Sequence, residues 1–217
     1  MKDKTFKNPK NVRNAIRLLK IVIDTLNKHD IKYYLDFGTL LGAMRENAFI
    51  SWDDDIDISL VNYKDYDKIE SVLQEIKKEY SYRVYMFTFF ESLKKRKKRN
   101  EIIYNEKIDF ALDSDIQIAK IRNNKFWKWG RGHTCLDIFF KYELDNHLYW
   151  FADGMENKIF NDFLEEGFQE VDFYGLKCSI PRAYDKYLKE IYGEWKIADK
   201  SWDEARSLTV QRGEEEG

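Results

Sequence analysis

Four aspartates crowd together directly after Trp52: Asp53, Asp54, Asp55 and, one isoleucine later, Asp57. The run DDDIDISL is rich in isoleucine and reads as a strand, in which alternate side chains share a face. Asp53, Asp55 and Asp57 then line one side. Ile56 and Ile58 take the other, with Asp54 the weakest candidate of the four. Alternate carboxylates lie about 6.6 Å apart, and at an effective dielectric near 20 each neighbouring pair repels by about 2.5 kcal/mol. A chain keeps such a row if the row is solvated, or if a divalent cation or a cationic ligand sits on it. A solvated acidic turn has no need of isoleucine at the alternate positions. A calcium loop of the EF-hand type, counted from Asp53, would need glycine and glutamate where Ile58 and Lys64 stand, and is excluded. Asp55 and Asp57 form the pair best suited to Mg²⁺ or Mn²⁺, since Mg²⁺ takes one or two carboxylates and completes its shell with substrate phosphates. Asp53 completes the set or orients a bound water.

Three further groups point at the same chemistry. Gly38-Thr39 stands between an apolar strand, 31–37, and a short helix, 40–45. A helix start after a small-residue turn offers free N–H groups and the positive end of the dipole to an anion, so Gly38 and Thr39 read as a phosphate site. Arg45 is expected on a phosphate or on one of the aspartates. In CLDIFF, residues 135–140, a single carboxylate, Asp137, sits in a buried-looking strand, where an acid is costly unless it is used. It is expected to meet Asp55 and Asp57 from the next strand, either as a metal ligand or as general base on an acceptor hydroxyl. Lys120 and Arg122 flank Ile121 on one strand face, within reach of bound phosphates. His133, Cys135 and Cys178 lack the spacing of a zinc site.

The elements that must position these groups follow from periodicity. Residues 10–29 carry Val12, Ile16, Leu19, Ile23 and Leu26 at helical spacing, and 63–80 repeat the pattern with Tyr66, Ile69, Val72, Leu73 and Ile76. Strands are expected at 82–90, 101–104, 116–121 and 135–140, and a hairpin at 168–180. Pro181 is expected at the first position of a helix that ends at Gly193. His29 reads as a helix-end residue, Trp127 and Trp129 as edge covers or as stacking platforms for a base or a cation, and Asp109, Asp113 and Asp115 as an acidic loop. Six basic residues in a row, Lys94–Arg99, read as a solvated loop or as a dock for anionic lipid or glycan. The parts add up to one α+β domain over 1–217, a mixed sheet flanked by helices, with a frayed tail from about 205.

Net charge is −2, which gives no drive toward nucleic acid. No run of 18 apolar residues spans a membrane. Two cysteines without a C-x-x-C motif, and no apolar stretch near the N-terminus, lead to the expectation of a reducing, cytoplasmic setting, with contact at the inner face of the membrane through the basic run.

The stretch GTLLGAMRENAFISWDDDID resembles the signature of the LicD family, which takes in bacterial phosphocholine transferases and the fukutin and fukutin-related proteins. Ser51 departs from it, standing where the family usually has proline. The likeness is strong over residues 10–62, returns at CLDIFF and IPRAYDKYLKEIYGEW, and is absent from about 63–130. It implies a nucleotidyltransferase-like fold and a metal-dependent phosphotransferase. The donor would be CDP-choline or a CDP-polyol, the acceptor a hydroxyl of a surface glycan or lipid-linked glycan (capsule, teichoic acid or lipopolysaccharide), and the by-product CMP. In that reading Asp55, Asp57 and Asp137 are catalytic and metal-binding, and Gly38, Thr39, Arg45, Lys120 and Arg122 hold the donor. The same aspartates would serve a true nucleotidyltransferase that moves an NMP from an NTP. A third reading is an inactive relative that binds glycan or a partner.

Overall fold

A computed structural model describes residues 4–62, 65–80, 82–88, 116–124, 131–152 and 155–200. Lys94–Arg99, Asp109, Asp113, Asp115, Trp127, Trp129, the expected strand at 101–104 and the expected tail lie outside the described residues, as does the side chain of His133.

The chain opens with α1 (Pro9–Lys28), whose first turn is closed by the Asn8 side chain accepting the Lys10 N–H at 3.0 Å. Then follow β1 (Tyr33–Leu35), α2 (Phe37–Arg45), β2 (Asp55–Leu60), α3 (Tyr66–Tyr80), β3 (Arg83–Thr88), β4 (Ile116–Asn124) and β5 (Arg131–Phe139). The five strands form one mixed sheet in the order β1-β2-β5-β4-β3, in which only β2 and β5 pair in parallel. α1 packs on β5, β2 and α3. Leu18, Leu19, Val22 and Leu26 of that helix and Ile69, Val72 and Ile76 of α3 are buried, as are Ile56, Ile58, Leu136 and Ile138 at alternate strand positions. Because side chains alternate across a strand, this apolar face commits Asp55, Asp57, Cys135 and Asp137 to the opposite one.

Beyond the sheet, β6 (Tyr142–Leu144), β7 (His147–Ala152) and β8 (Met155–Phe160) make a three-stranded meander, and β9 (Phe168–Phe173) pairs with β10 (Leu176–Pro181). Asp145-Asn146 and Tyr174-Gly175 both sit at positive φ, the geometry that two-residue hairpin loops demand. The arrangement is the α+β class expected, with helices flanking a mixed sheet. One boundary is corrected. Pro181 does not begin the last helix: it ends β10, paired with Phe168, and α4 runs Tyr184–Tyr192. The last position of a two-stranded ribbon tolerates the missing N–H as well as a first helical turn does, so proline alone did not decide between them.

Candidate active site

The sheet register builds the acidic cluster. The parallel pairing of β2 with β5 sets Asp57 opposite Asp137 and Asp55 opposite Cys135. Asp55, Asp57 and Asp137 each offer an oxygen within 4.8 Å of the others, and Asp53, Asp54 and Asp55 make a second such group that shares Asp55. Two full charges at that distance repel by about 3.5 kcal/mol at an effective dielectric of 20. Asp57 is 9% exposed and Asp137 3%. Burial, and then the charges of neighbouring aspartates, hold the Asp55 and Asp57 carboxyls well above the ordinary carboxylate range. Asp53 is raised too, chiefly by burial, although the N–H of Asp54 donates to its Oδ1 at 2.8 Å and pulls the other way.

α2 is fitted closely against these acids. A Cβ on Gly38 would lie 2.5 Å from Asp53 Oδ2 and 3.8 Å from Asp57 Oδ2, so glycine is required there for the carboxylates to approach the helix start. Thr39 Oγ1 accepts the N–H of Asp57 at 2.9 Å, which spends the hydroxyl on the backbone of β2. Asp36 caps the helix. Its carboxylate accepts the Phe37 N–H at 2.8 Å and its carbonyl the Leu40 N–H at 2.9 Å, so the N–H groups of Gly38 and Thr39 between them are satisfied by neither.

The basic candidates divide. Lys120, opposite Asp137 across β4 and β5, forms an ion pair with that carboxylate. Burial works against its charge, but Asp137 outweighs burial and the ammonium is held above its ordinary value. Arg122 lies two residues along on the same face, opposite Cys135. The Cys135 thiol donates to Asp137 Oδ1 at 3.1 Å, and burial raises it. Arg45 is not on an aspartate. Its guanidinium pairs with Glu46 at 2.8 Å, donates to the Trp195 carbonyl at 3.3 Å and lies 6.0 Å from the centre of the Trp52 ring. Of the basic candidates Arg45 lines a cleft of about 610 Å³, which opens beside Gly38 and Asp53 and has Trp52, Trp195 and Leu41 among its walls.

Sequence reasoning passed over the buried pair beside this site. Asp36 and Lys141, 2.6 Å apart, have side chains 0% and 1% exposed. Asp36 also accepts hydrogen bonds from the hydroxyls of Ser59 and Tyr187. An aspartate between an apolar strand and a Gly-Thr helix start is an N-cap signal. Its partner, far along the chain, leaves no such mark.

The donor set fits a hard divalent cation: three to four apposed carboxylates, of which only Asp137 has a resolved ion-pair partner among the described residues, offer oxygen ligands alone. Asp55, Asp57 and Asp137 are the residues able to hold it, with Asp53 adjoining. No described helix is long and apolar enough to cross a membrane.

An uncharacterized protein of Rickettsia prowazekii is 30% identical over 102 residues, which is 42% of this chain and 38% of the relative. The ribitol-5-phosphate transferases FKTN of Homo sapiens and Macaca fascicularis are each 25% identical over 201 residues, 90% of this chain and 36% of theirs. The chain thus spans well under half the length of these relatives. Among solved structures, a lincomycin-bound lincosamide antibiotic adenylyltransferase superposes loosely, with a TM-score of 0.43 at 14% identity over 88% of this chain and 94% of that one. The pattern of the LicD/FKTN/FKRP nucleotidyltransferase domain matches residues 30–183, a stretch that runs from the end of α1 to the start of α4 and encloses the whole acidic cluster. The chain belongs to the LicD/FKTN/FKRP family.

Proposed function

We propose that the protein is a metal-dependent phosphotransferase that moves a phospho-alcohol, phosphocholine or a polyol phosphate, from a CDP-activated donor to a hydroxyl of a cell-surface glycan. The observation that carries this is the convergence of Asp55, Asp57 and Asp137 within 4.8 Å beside the start of α2. The acceptor oxygen forms a bond to the phosphorus that bears the alcohol. The bridging P–O bond to the cytidylate breaks, CMP leaves, and the acceptor proton passes to a base.

Asp55, Asp57 and Asp137, with Asp53 adjoining, would hold Mg²⁺ or Mn²⁺. When bound, the cation neutralises the diphosphate and stabilises the leaving phosphate. The N–H groups of Gly38 and Thr39 receive phosphate oxygens at the helix start. Lys120 and Arg122 lie on the same sheet face as Asp137, where a diphosphate would find cationic partners. Asp137 either ligates metal or accepts the acceptor proton, and the Lys120 ammonium is paired with its carboxylate. The cleft of about 610 Å³ suits the nucleoside end of the donor, with Trp52 and Trp195 offering aromatic walls and Arg45 lining it beside them.

The test is ³¹P NMR of the purified chain with Mg²⁺ and, separately, CDP-choline, CDP-ribitol, CDP-glycerol and CTP. Metal-dependent CMP from one CDP-alcohol, with no pyrophosphate from CTP, is the expected result. Pyrophosphate from CTP would replace the proposal with NMP transfer. Replacing Lys94–Arg99 by serine is expected to weaken sedimentation with anionic vesicles and leave CMP release unchanged.

A further inference from the structure

We propose that Asp36 and Lys141 are positioning residues for transfer, a buried pair that sets the start of α2 and the separation of β2 from β5. The inference rests on the phosphotransferase reading above.

Asp36 grips β2 twice. Its N–H donates to the Asp57 carbonyl at 3.1 Å, and its carboxylate accepts the hydroxyl of Ser59, two residues further along the same strand face. The Asp57 N–H, in turn, donates to Thr39. Asp57 is therefore held through both of its peptide groups by residues on either side of Phe37-Gly38. Lys141, two residues beyond the strand that carries Asp137, brings its ammonium to Oδ2 of the same carboxylate, the oxygen that Ser59 also reaches. One carboxylate thus joins the segment bearing Asp57 to the segment bearing Asp137, the two acids that must stay in register for a shared cation.

Phe37 shows that this point of the chain is held and not relaxed. It adopts a φ of 39°, which a bulky residue avoids and which persists only when its surroundings over-determine it. Its ring packs on Phe139 and Trp150, and the Lys141 ammonium lies 4.5 Å from its centre. Tyr187 of α4 donates its hydroxyl to Asp36 and accepts from Lys141 at 3.0 Å. α4 leads on to Trp195 in the cleft wall, so the same hub ties the acid cluster to the cleft.

A pair kept for stability alone is dispensable, because buried ion pairs are commonly replaced by neutral groups of similar volume without loss. The test uses the double variant Asp36→Asn/Lys141→Met, which removes both charges and keeps an acceptor at the helix cap. Thermal melting confirms the fold, calorimetric titration gives the Mn²⁺ Kd, and donor turnover gives kcat and KM. The expected result is a cooperatively folded protein with Mn²⁺ affinity weakened about 10- to 100-fold, the range for lost supporting shells around metal ligands. kcat falls with it, while the donor KM stays near wild type. A folded double variant with wild-type Mn²⁺ affinity and kcat overturns the proposal. If the double variant does not fold, Ser59→Ala and Tyr187→Phe each remove one donor to Asp36, and the same two readouts decide. A wild-type chain that neither binds Mn²⁺ nor turns over a CDP-alcohol brings down the phosphotransferase reading and this proposal with it. Wild-type activity matched by the folded variants brings down this proposal alone.

Discussion

Two groups of buried charge face each other across the start of α2, and they are built on opposite principles. At Asp36 one carboxylate receives four donors, from the Phe37 amide, Ser59, Tyr187 and Lys141, and the ammonium is ringed by Tyr34, Phe37, Trp150 and Tyr187. At Asp55, Asp57 and Asp137 three carboxylates share one resolved ammonium, that of Lys120. The first group is balanced in charge and in hydrogen bonds, which is what a fold needs from buried polar groups. The second is left short of positive charge where burial makes the shortfall most costly. Balanced charge needs no further partner, whereas unbalanced charge is what a cation would relieve, and the difference separates two sets of acids whose residue types are identical.

The largest effect expected from that contrast is on transfer. Asp57→Asn removes one acid from the cluster while keeping its shape. Transfer should fall by about four powers of ten, equivalent to about 5.5 kcal/mol of transition-state stabilisation. The metal-free protein should melt no lower than wild type, because repulsion has been relieved. Turnover at the wild-type rate would remove Asp57 from the site. A much lower melting temperature would show that the cluster is architecture after all.

At the balanced group a loss of stability is expected as well. Lys141→Met strands Asp36 as a buried charge and should cost about 3–5 kcal/mol of stability in denaturant unfolding. Mg²⁺ should not restore what is lost. A loss below about 1 kcal/mol would mean that the ammonium contributes little and that the two groups are less different than their hydrogen bonds indicate.

Gly38→Ala sits between the two groups and should show a share of each effect. The added methyl meets Asp53 Oδ2 at 2.5 Å, and the neighbour must move. Crowding of this kind costs about 1–3 kcal/mol, and here the displaced atom belongs to the acid row, so metal affinity measured by titration should fall together with stability. Gly42→Ala is the control: its methyl meets the Ala48 carbonyl at 2.5 Å, away from the acids, and should cost stability without changing metal affinity.

The contrast also explains what could be read from the sequence. Asp55 and Asp57 were legible because a two-residue alternation within an isoleucine run is a local signal, and Asp137 because an acid in CLDIFF is out of place. The fold brings all three together, as expected. Arg45 pairs with Glu46 and the Trp195 carbonyl and not with an aspartate, and nothing local in the sequence signals those partners. From the sequence Lys120 is expected near phosphate, and its ion pair with Asp137 depends on a register between β4 and β5 that only the folded sheet supplies. Asp36 and Lys141 were missed for the same reason. A satisfied pair is defined by its partner, and here the partner is distant in sequence, whereas an unsatisfied cluster advertises itself through like charges at strand spacing.

A further expected effect is one of pH, and it tests whether the cluster's charges are felt at all without a cation. Asp55 and Asp57 are raised above their ordinary values by burial and by one another. The folded state therefore holds their protons more tightly than the unfolded chain does. A group of this kind favours the folded state at low pH, and that contribution is lost as pH climbs from the unfolded carboxylate value, about 3.9, through the raised folded value. Metal-free wild-type protein should accordingly lose stability relative to Asp55→Asn/Asp57→Asn as pH rises from 5 to 8, by at most about 1.4 kcal/mol per pH unit for each extra proton held. Thermal melts of both proteins in a chelator give the difference directly, and the comparison cancels the titration of every other group. Saturating Mg²⁺ should flatten the slope, since a bound cation keeps the carboxylates ionised. A difference that does not change with pH would mean that water already screens these acids, and the cluster would then be no more short of positive charge than the pair at Asp36.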